Sequence, residues 1–281
     1  MITSLDDALR LADEALGPDA PSYEVLAIRY GTRMATRGTV YVDDGRLGDP
    51  DEPLQMDYFF WLLRGEAATI LVDCGFHPDV GVRRGRTTLV PPLEALDRLG
   101  VDCDALERIV VTHLHYDHIG QLDAFPNAEI LAQRRDVDFW AGPELEAELA
   151  PHVEASEVAF VASAVEAGRA QLLDGAAMLA PGVAAILIGG HSPGQQSLVV
   201  KGDGGPVLLA SDAVHYYEEQ ERRLPFAIVV DLDEMTRGYD TLQALSESTG
   251  AVLVPGHDPE VTDRFPSAGA DLLPGIALRL S

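Results

Sequence analysis

Two features of the sequence predict an α/β fold. Apolar runs of strand length alternate along the chain with segments whose apolar residues recur at helical spacing. Several of those runs end at once in a histidine or an aspartate, which is where open α/β sheets place ligands. With 281 residues, 47% of them hydrophobic, the chain is long enough for a large core. No repeat, low-complexity tract or linker divides it, so one domain over residues 1–281 is expected.

In order, Leu5, Ala8, Leu9, Ala12, Ala15 and Leu16 fall at helical spacing and predict an amphipathic helix within Met1 to Pro18. Tyr23 to Tyr30 reads as a strand. The Gly-, Asp- and Arg-rich stretch from Gly31 to Pro53 reads as a loop, interrupted by a short strand over Thr39–Val42. Tyr58–Leu63 and Ala68–Asp73 are continuous apolar runs around Arg64-Gly65, as expected of adjacent strands covered on both faces. Helices are expected at Pro91–Leu99, Arg134–Trp140, Glu144–Ala167 and Met235–Leu245. Strands are expected at Arg108–Thr112, Ala128–Ala132, Val183–Ile188, Ser197–Val200, Val207–Ala210 and Ala251–Val254.

The chemistry concentrates in Val111-Thr112-His113-Leu114-His115-Tyr116-Asp117-His118-Ile119-Gly120. Three of the eight histidines fall within six positions around an aspartate, which makes chance a poor account. On an extended backbone His113 and His115 point to the same side, because strand side chains alternate with period two. Asp117 and His118 point elsewhere if the chain turns helical there. The spacing therefore suggests two neighbouring metal positions, and imidazole with carboxylate suits zinc, with iron or manganese as alternatives. One turn cannot complete two shells. His191, Asp212 and His257 each follow a strand end, as His118 does, and supply the missing donors. Asp73, at the end of another run, reads equally as a turn former or as a carboxylate that orients a histidine. His152, beside Pro151, reads as a surface residue.

With 20 Lys+Arg against 46 Asp+Glu, the net charge of −26 repels nucleic acid and anionic membranes. A neutral small-molecule substrate is expected, with no nucleic-acid or membrane partner. The acidic amino-terminal segment lacks the basic and apolar regions of a secretory signal, and no apolar run of about 18 residues appears. A cytoplasmic chain with Cys74 and Cys103 as free thiols is the expectation.

From about Tyr58 to His257, the ordered set of Asp73, His113-Leu114-His115-Tyr116-Asp117-His118, His191, Asp212 and His257 resembles the metallo-β-lactamase superfamily. The resemblance implies an αββα sandwich of two mixed β-sheets flanked by helices, with a metal site at one edge. It implies that His113, His115 and His191 hold one divalent ion and that Asp117, His118 and His257 hold a second. Asp212 would bridge the two, and Asp73 would support the site from behind. The implied cofactors are two divalent metal ions, Zn2+ foremost, with Fe or Mn as alternatives.

Within that superfamily, His191-Ser192-Pro193-Gly194-Gln195-Gln196-Ser197-Leu198, Ser211-Asp212-Ala213 and Val254-Pro255-Gly256-His257-Asp258 are similar to the quorum-quenching N-acyl-homoserine lactonases. Those lactonases carry a tyrosine three residues after the bridging aspartate that contacts the substrate carbonyl. Here that position is His215, with Tyr216 and Tyr217 following, so His215 or Tyr216 is the expected rim donor. The implied reaction is lactone opening by a metal-bridging hydroxide, with Asp117 or Asp212 passing a proton to the leaving oxygen. Phe59, Phe60 and Trp61 are candidates for part of an acyl pocket, although aromatic runs at strand spacing are more often core. The alternatives are a hydrolase of another small cyclic ester or thioester, such as a pyridoxine-derived lactone, and a non-catalytic metal-bearing binding protein. Retention of all seven ligand positions favours an enzyme over the last.

Overall fold

The apolar runs become strands whose two faces are both covered. The computed structural model describes residues 3–43, 45–66, 68–143, 145–269 and 273–281. Among these residues the strands, in chain order, are β1 (Glu24–Thr36), β2 (Pro53–Arg64), β3 (Thr69–Val72), β4 (Thr87–Thr88), β5 (Arg108–Val110), β6 (Glu129–Gln133) and β7 (Ala170–Leu173). They continue as β8 (Ala177–Ala180), β9 (Val183–Leu187), β10 (Gln196–Gly202), β11 (Gly205–Ser211), β12 (Val252–Pro255) and β13 (Ala277–Arg279). One sheet has the order β13-β1-β2-β3-β5-β6-β7, with β4 paired to β1. The other has the order β12-β11-β10-β9-β8. Both are mixed: β3, β5, β6 and β7 run parallel, β1 with β2 and β2 with β3 antiparallel, and in the smaller sheet β11 with β12 is the parallel pair.

Side-chain alternation divides β2 between two cores. Phe59, Trp61 and Leu63 join Val25 and Ala27 of β1 and Val183, Ala185, Leu198, Val200 and Leu209 of the smaller sheet, a cluster that lies between the sheets. Phe60 and Leu62 face the other way, with Leu26, Ile28 and the Ala95 and Leu96 of helix Pro92–Arg98. Helices Leu5–Ala15 and Leu232–Thr249 pack on each other and on the outer face of the smaller sheet. Helix Leu5–Ala15 starts where Ser4 Oγ accepts from the Asp7 amide at 3.1 Å, and it buries Ala8, Leu11, Ala12 and Ala15 on one side. This is the αββα sandwich expected from the resemblance.

Several local expectations are corrected. Phe59, Phe60 and Trp61 are core residues, at most 2% exposed, and none lines the cavity described below, so the acyl-pocket role does not hold. Residues Arg37–Val40 form a helical turn where a strand was expected over Thr39–Val42. Thr39 Oγ1 accepts from the Thr36 amide at 3.2 Å, and Glu218 holds the Arg37 guanidinium at 2.6 and 3.1 Å, which fixes the turn. The helix expected over Glu144–Ala167 forms only from Ala155 to Glu166. Pro151, which has no amide hydrogen to donate, sits in a 3-10 turn ahead of it. Met1, Asp44 and Glu144 of the expected segments lie outside the described residues. Among the described residues, no helix is long and apolar enough to cross a membrane.

Because Trp61 packs between the sheets, Trp61→Ala should lower the unfolding free energy by about 3–5 kcal/mol, the cost of a large cavity in a closed core. Urea denaturation of the purified variant measures it. A loss below about 1 kcal/mol would show that the site collapses or that the ring is not enclosed.

Candidate metal centre

The histidine turn takes two backbone conformations, and these give its side chains two directions. β5 ends at Val110, the chain bends at Thr112, and His115 is again extended, with φ and ψ of −67° and 152°. His115 then caps the single helical turn Tyr116–Ile119, which carries Asp117 and His118. His113, His115 and the His191 that follows β9 converge so that one nitrogen of each lies within 4.8 Å of the others. Asp117, His118 and the His257 that follows β12 form a second such group. Asp212, just past β11, stands between them: Oδ2 is 3.0 Å from His257 Nε2, 3.5 Å from His191 Nε2 and 3.9 Å from His113 Nε2, while Oδ1 is 3.5 Å from His118 Nε2.

The rings are aimed by their far nitrogens. His118 Nδ1 meets Asp73 Oδ2 at 2.7 Å, His191 Nδ1 donates to the Ile228 carbonyl at 2.8 Å, and His257 Nδ1 donates to the Asp57 carbonyl at 2.6 Å. Each bond leaves Nε2 facing the cluster. Asp73 is thus both of the things the sequence allowed. It turns the chain after β3 with φ +59° and also accepts from the Thr112 amide (2.8 Å) and hydroxyl (2.7 Å). Ser211, immediately before Asp212, has φ +49°. Two non-glycine residues in the left-handed region, at about 1–3 kcal/mol each, mark where the sheets deliver carboxylates against backbone preference. Gly256 makes room for one of them, because a Cβ there would fall 2.5 Å from Asp212 Oδ1.

The donor set fits a pair of cations. His113 Nε2, His115 Nε2, His118 Nε2, Asp212 Oδ1 and His215 Nε2 are buried without a hydrogen-bond partner. Unsatisfied buried polar atoms cost about 1–3 kcal/mol each, and the His113, His118 and His215 Nε2 atoms all lie within 4 Å of Asp212, which calls for a ligand there. Burial and the neighbouring imidazoles hold His113, His115 and His191 far below the usual histidine range, hence neutral and ready to coordinate. Burial pushes the Asp212 carboxyl up, but His257, His118 and His215 outweigh it and keep the group ionised.

His215 and Tyr216 are not at the rim. His215 is fully buried, with its ring stacked on Phe226 at 3.5 Å and Nδ1 3.1 Å from Glu219 Oε2. Its Nε2 points at Asp212 Oδ2, 3.3 Å away, and His191, Asp212 and His215 form a further group of potential donors. Burial lowers the His215 pKa, but Glu219 and Asp212 more than reverse this and bring it to about 9. The Tyr216 hydroxyl turns away, donating to the Gln55 carbonyl at 3.1 Å, and its ring packs edge-on against Tyr41. The rim role expected for Tyr216 is therefore corrected, because the helix that follows (Tyr217–Arg222) draws its ring into the core.

Sequence reasoning missed three residues. Asp136 is fully buried, accepts from the Leu114 amide (2.7 Å), the Gly194 amide (2.7 Å) and Ser192 Oγ, and so ties the His113–His115 turn to the His191 loop. Nothing in its surroundings in sequence marks it. Glu219 lies four residues after His215 at the start of a helix, a spacing that was legible. His152 is half-buried, not a detached surface residue, with its ring 5.5 Å from that of His115. A cavity of ≈ 250 Å3 opens over the cluster, with His115, Asp117, His191, Asp212 and His257 as its floor and Tyr58, Phe226 and Ile228 among its walls.

Fold, ligand order and cluster agree with one family. The metallo-beta-lactamase superfamily profile matches residues 57–257, and the chain belongs to that superfamily of hydrolases. An N-acyl homoserine lactonase of Bacillus sp. is 30% identical over 212 residues, which covers 70% of this chain and 76% of that one. The N-acyl homoserine lactonase AiiA of Bacillus thuringiensis subsp. kurstaki is 27% identical over 228 residues, 75% of this chain and 85% of that one. Among solved structures, an N-acyl homoserine lactone hydrolase with its product N-hexanoyl-L-homoserine at the catalytic metal centre superposes with a TM-score of 0.70. It is 25% identical and covers 86% of this chain and 96% of that one.

Removing the carboxylate behind His118 should weaken metal binding without touching a ligand. Asp73→Ala is expected to lower affinity for one equivalent by about 10–100-fold. Competition against a chelating dye measures it, and an unchanged affinity would mean that Asp73 only shapes the turn.

Proposed function

We propose that this protein opens lactones, with N-acyl homoserine lactones as the substrate class, using two divalent ions at the cluster. The observation that supports this most is the place of Asp212, one carboxylate within 4 Å of histidines from both ligand groups. His113, His115 and His191 would hold one ion, Asp117, His118 and His257 the other, and Asp212 both. When bound, such a pair, Zn2+ by preference and Fe or Mn as alternatives, supplies Lewis acidity toward an ester carbonyl and makes water nucleophilic at neutral pH.

The chain's own residues supply the rest. Tyr58, Phe226 and Ile228 wall the cavity with apolar surface against which an acyl chain packs and from which water is excluded. Asp117 lines the same cavity at 8% exposure, and its carboxylate would take the proton released by the attacking water and pass it to the leaving oxygen. His215 acts through Asp212. Clamped by Glu219 and Phe226, its Nε2 fixes the orientation of the Asp212 carboxylate from behind.

Elemental analysis of gently purified protein should find about two metal equivalents per chain. Asp212→Ala should lose both, and His257→Ala chiefly one. Equal losses from the two variants would defeat the bridging role. Hydrolysis of N-hexanoyl homoserine lactone by the metal-loaded protein, followed by acid release, tests the substrate class, and inactivity across a lactone panel would overturn it.

His215→Ala should lower kcat by about 10–100-fold while two metal equivalents stay bound, the effect of losing a group that orients a ligand. Tyr216→Phe should leave kcat unchanged and cost about 1 kcal/mol of stability through the hydrogen bond to Gln55. The reverse pattern would restore Tyr216 to the substrate and remove His215 from the reaction.

A further inference from the structure

The cavity over the cluster is lined by three arginines, Arg33, Arg84 and Arg86, in a chain with 20 basic against 46 acidic residues. Arg84 is engaged: its guanidinium meets Glu154 at 2.7 Å and lies 4.0 Å over the Tyr116 ring. Arg33 and Arg86 differ. Among the described residues neither has a carboxylate within the 4.0 Å of an ion pair. Arg33 Nε donates to Met56 Sδ at 3.2 Å, a weak acceptor, and Arg86 donates to the Tyr116 hydroxyl (2.9 Å) and the Arg84 carbonyl (2.7 Å).

The fold sets these two side by side. β1 pairs antiparallel with β4 through Gly31↔Thr88 and Thr32↔Thr87, Arg33 and Arg86 each adjoin that pairing in sequence, and both line the same cavity. Like charges at one cavity wall repel, and both residues are half-buried, which weakens solvent screening. Such a pair at a cavity wall, unneutralised in so acidic a protein, is a binding site for negative charge. The acids that line the cavity, Asp117 and Asp212, belong to the candidate ligand groups and pair with neither arginine.

We propose that Arg33 and Arg86 select substrates whose acyl portion carries an anionic group, a carboxylate held by the two guanidiniums while the ester carbonyl sits over the cluster. This rests on the lactonase reading and narrows it: the preferred lactone is an anion, not the neutral molecule that net charge alone suggests. The planar fork of a guanidinium matches a carboxylate, and the half-buried setting preserves the strength of the contact.

The test compares N-adipoyl homoserine lactone, whose chain ends in a free carboxylate, with its terminal primary amide. For the metal-loaded protein kcat/KM should favour the acid by about tenfold or more, the scale of a charge-assisted hydrogen bond, and the preference should shrink as salt is added. Arg33→Gln, which sacrifices only the Met56 contact, and Arg86→Gln should each bring the ratio of the two substrates toward unity. A second arm uses the metal-loaded protein without a lactone: calorimetry should show adipic acid monoamide binding more tightly than adipamide, a difference lost in Arg33→Gln. Equal rates for acid and amide, or a preference for the amide, overturn the proposal and leave the lactonase reading intact. If neither lactone is hydrolysed, that reading fails, and the binding arm still decides the role of the arginines.

Discussion

The site depends on keeping one buried carboxylate ionised among imidazoles. Asp212 is 3% exposed, and burial alone would protonate it. His257, His118 and His215 reverse that, while burial first and neighbouring imidazoles second keep His113, His115 and His191 neutral. Negative and neutral donors in one pocket are what divalent ions need, and an unpaired cluster of this kind is costly without them. Backbone strain at Asp73 and Ser211 adds to that cost, and the large sheet-to-sheet core that holds both in place offsets it.

Around this carboxylate the second layer of contacts belongs to loops joined across the molecule. Asp136 joins the His113–His115 turn to the His191 loop, Asp57 lends its carbonyl to His257, and Glu219 clamps His215. The elements concerned come from both sheets, so the centre forms only when the sandwich closes. A metal bound there would therefore be coupled to closure of the sheets and would stabilise the folded state by mass action. Above the floor the cavity wall divides by chemistry, with aromatic and aliphatic surface from Tyr58, Phe226 and Ile228 and guanidiniums from Arg33 and Arg86.

The sequence by itself marked the long apolar strands, because β2 and β3 are too apolar to tolerate an exposed face, and the candidate donors, because His113 to His118 pack both directions of donor into one turn; the short strands β4, β7, β8 and β13 carry no such signal. It also placed His191, Asp212 and His257 at strand ends, since each follows an apolar run directly. What it left open was decided by contacts between residues far apart in the chain. Phe59, Phe60 and Trp61 look the same in sequence whether they line a pocket or a core, and the packing of the two sheets makes them core. His215 and Tyr216 are neighbours with opposite fates: one ring stacks on Phe226 beside Asp212, and the other is drawn to Gln55. Asp136 and the meeting of Arg33 and Arg86 at one cavity have no local signature, because a buried brace and a shared cavity wall are properties of the closed sheets, where residues distant in sequence first meet.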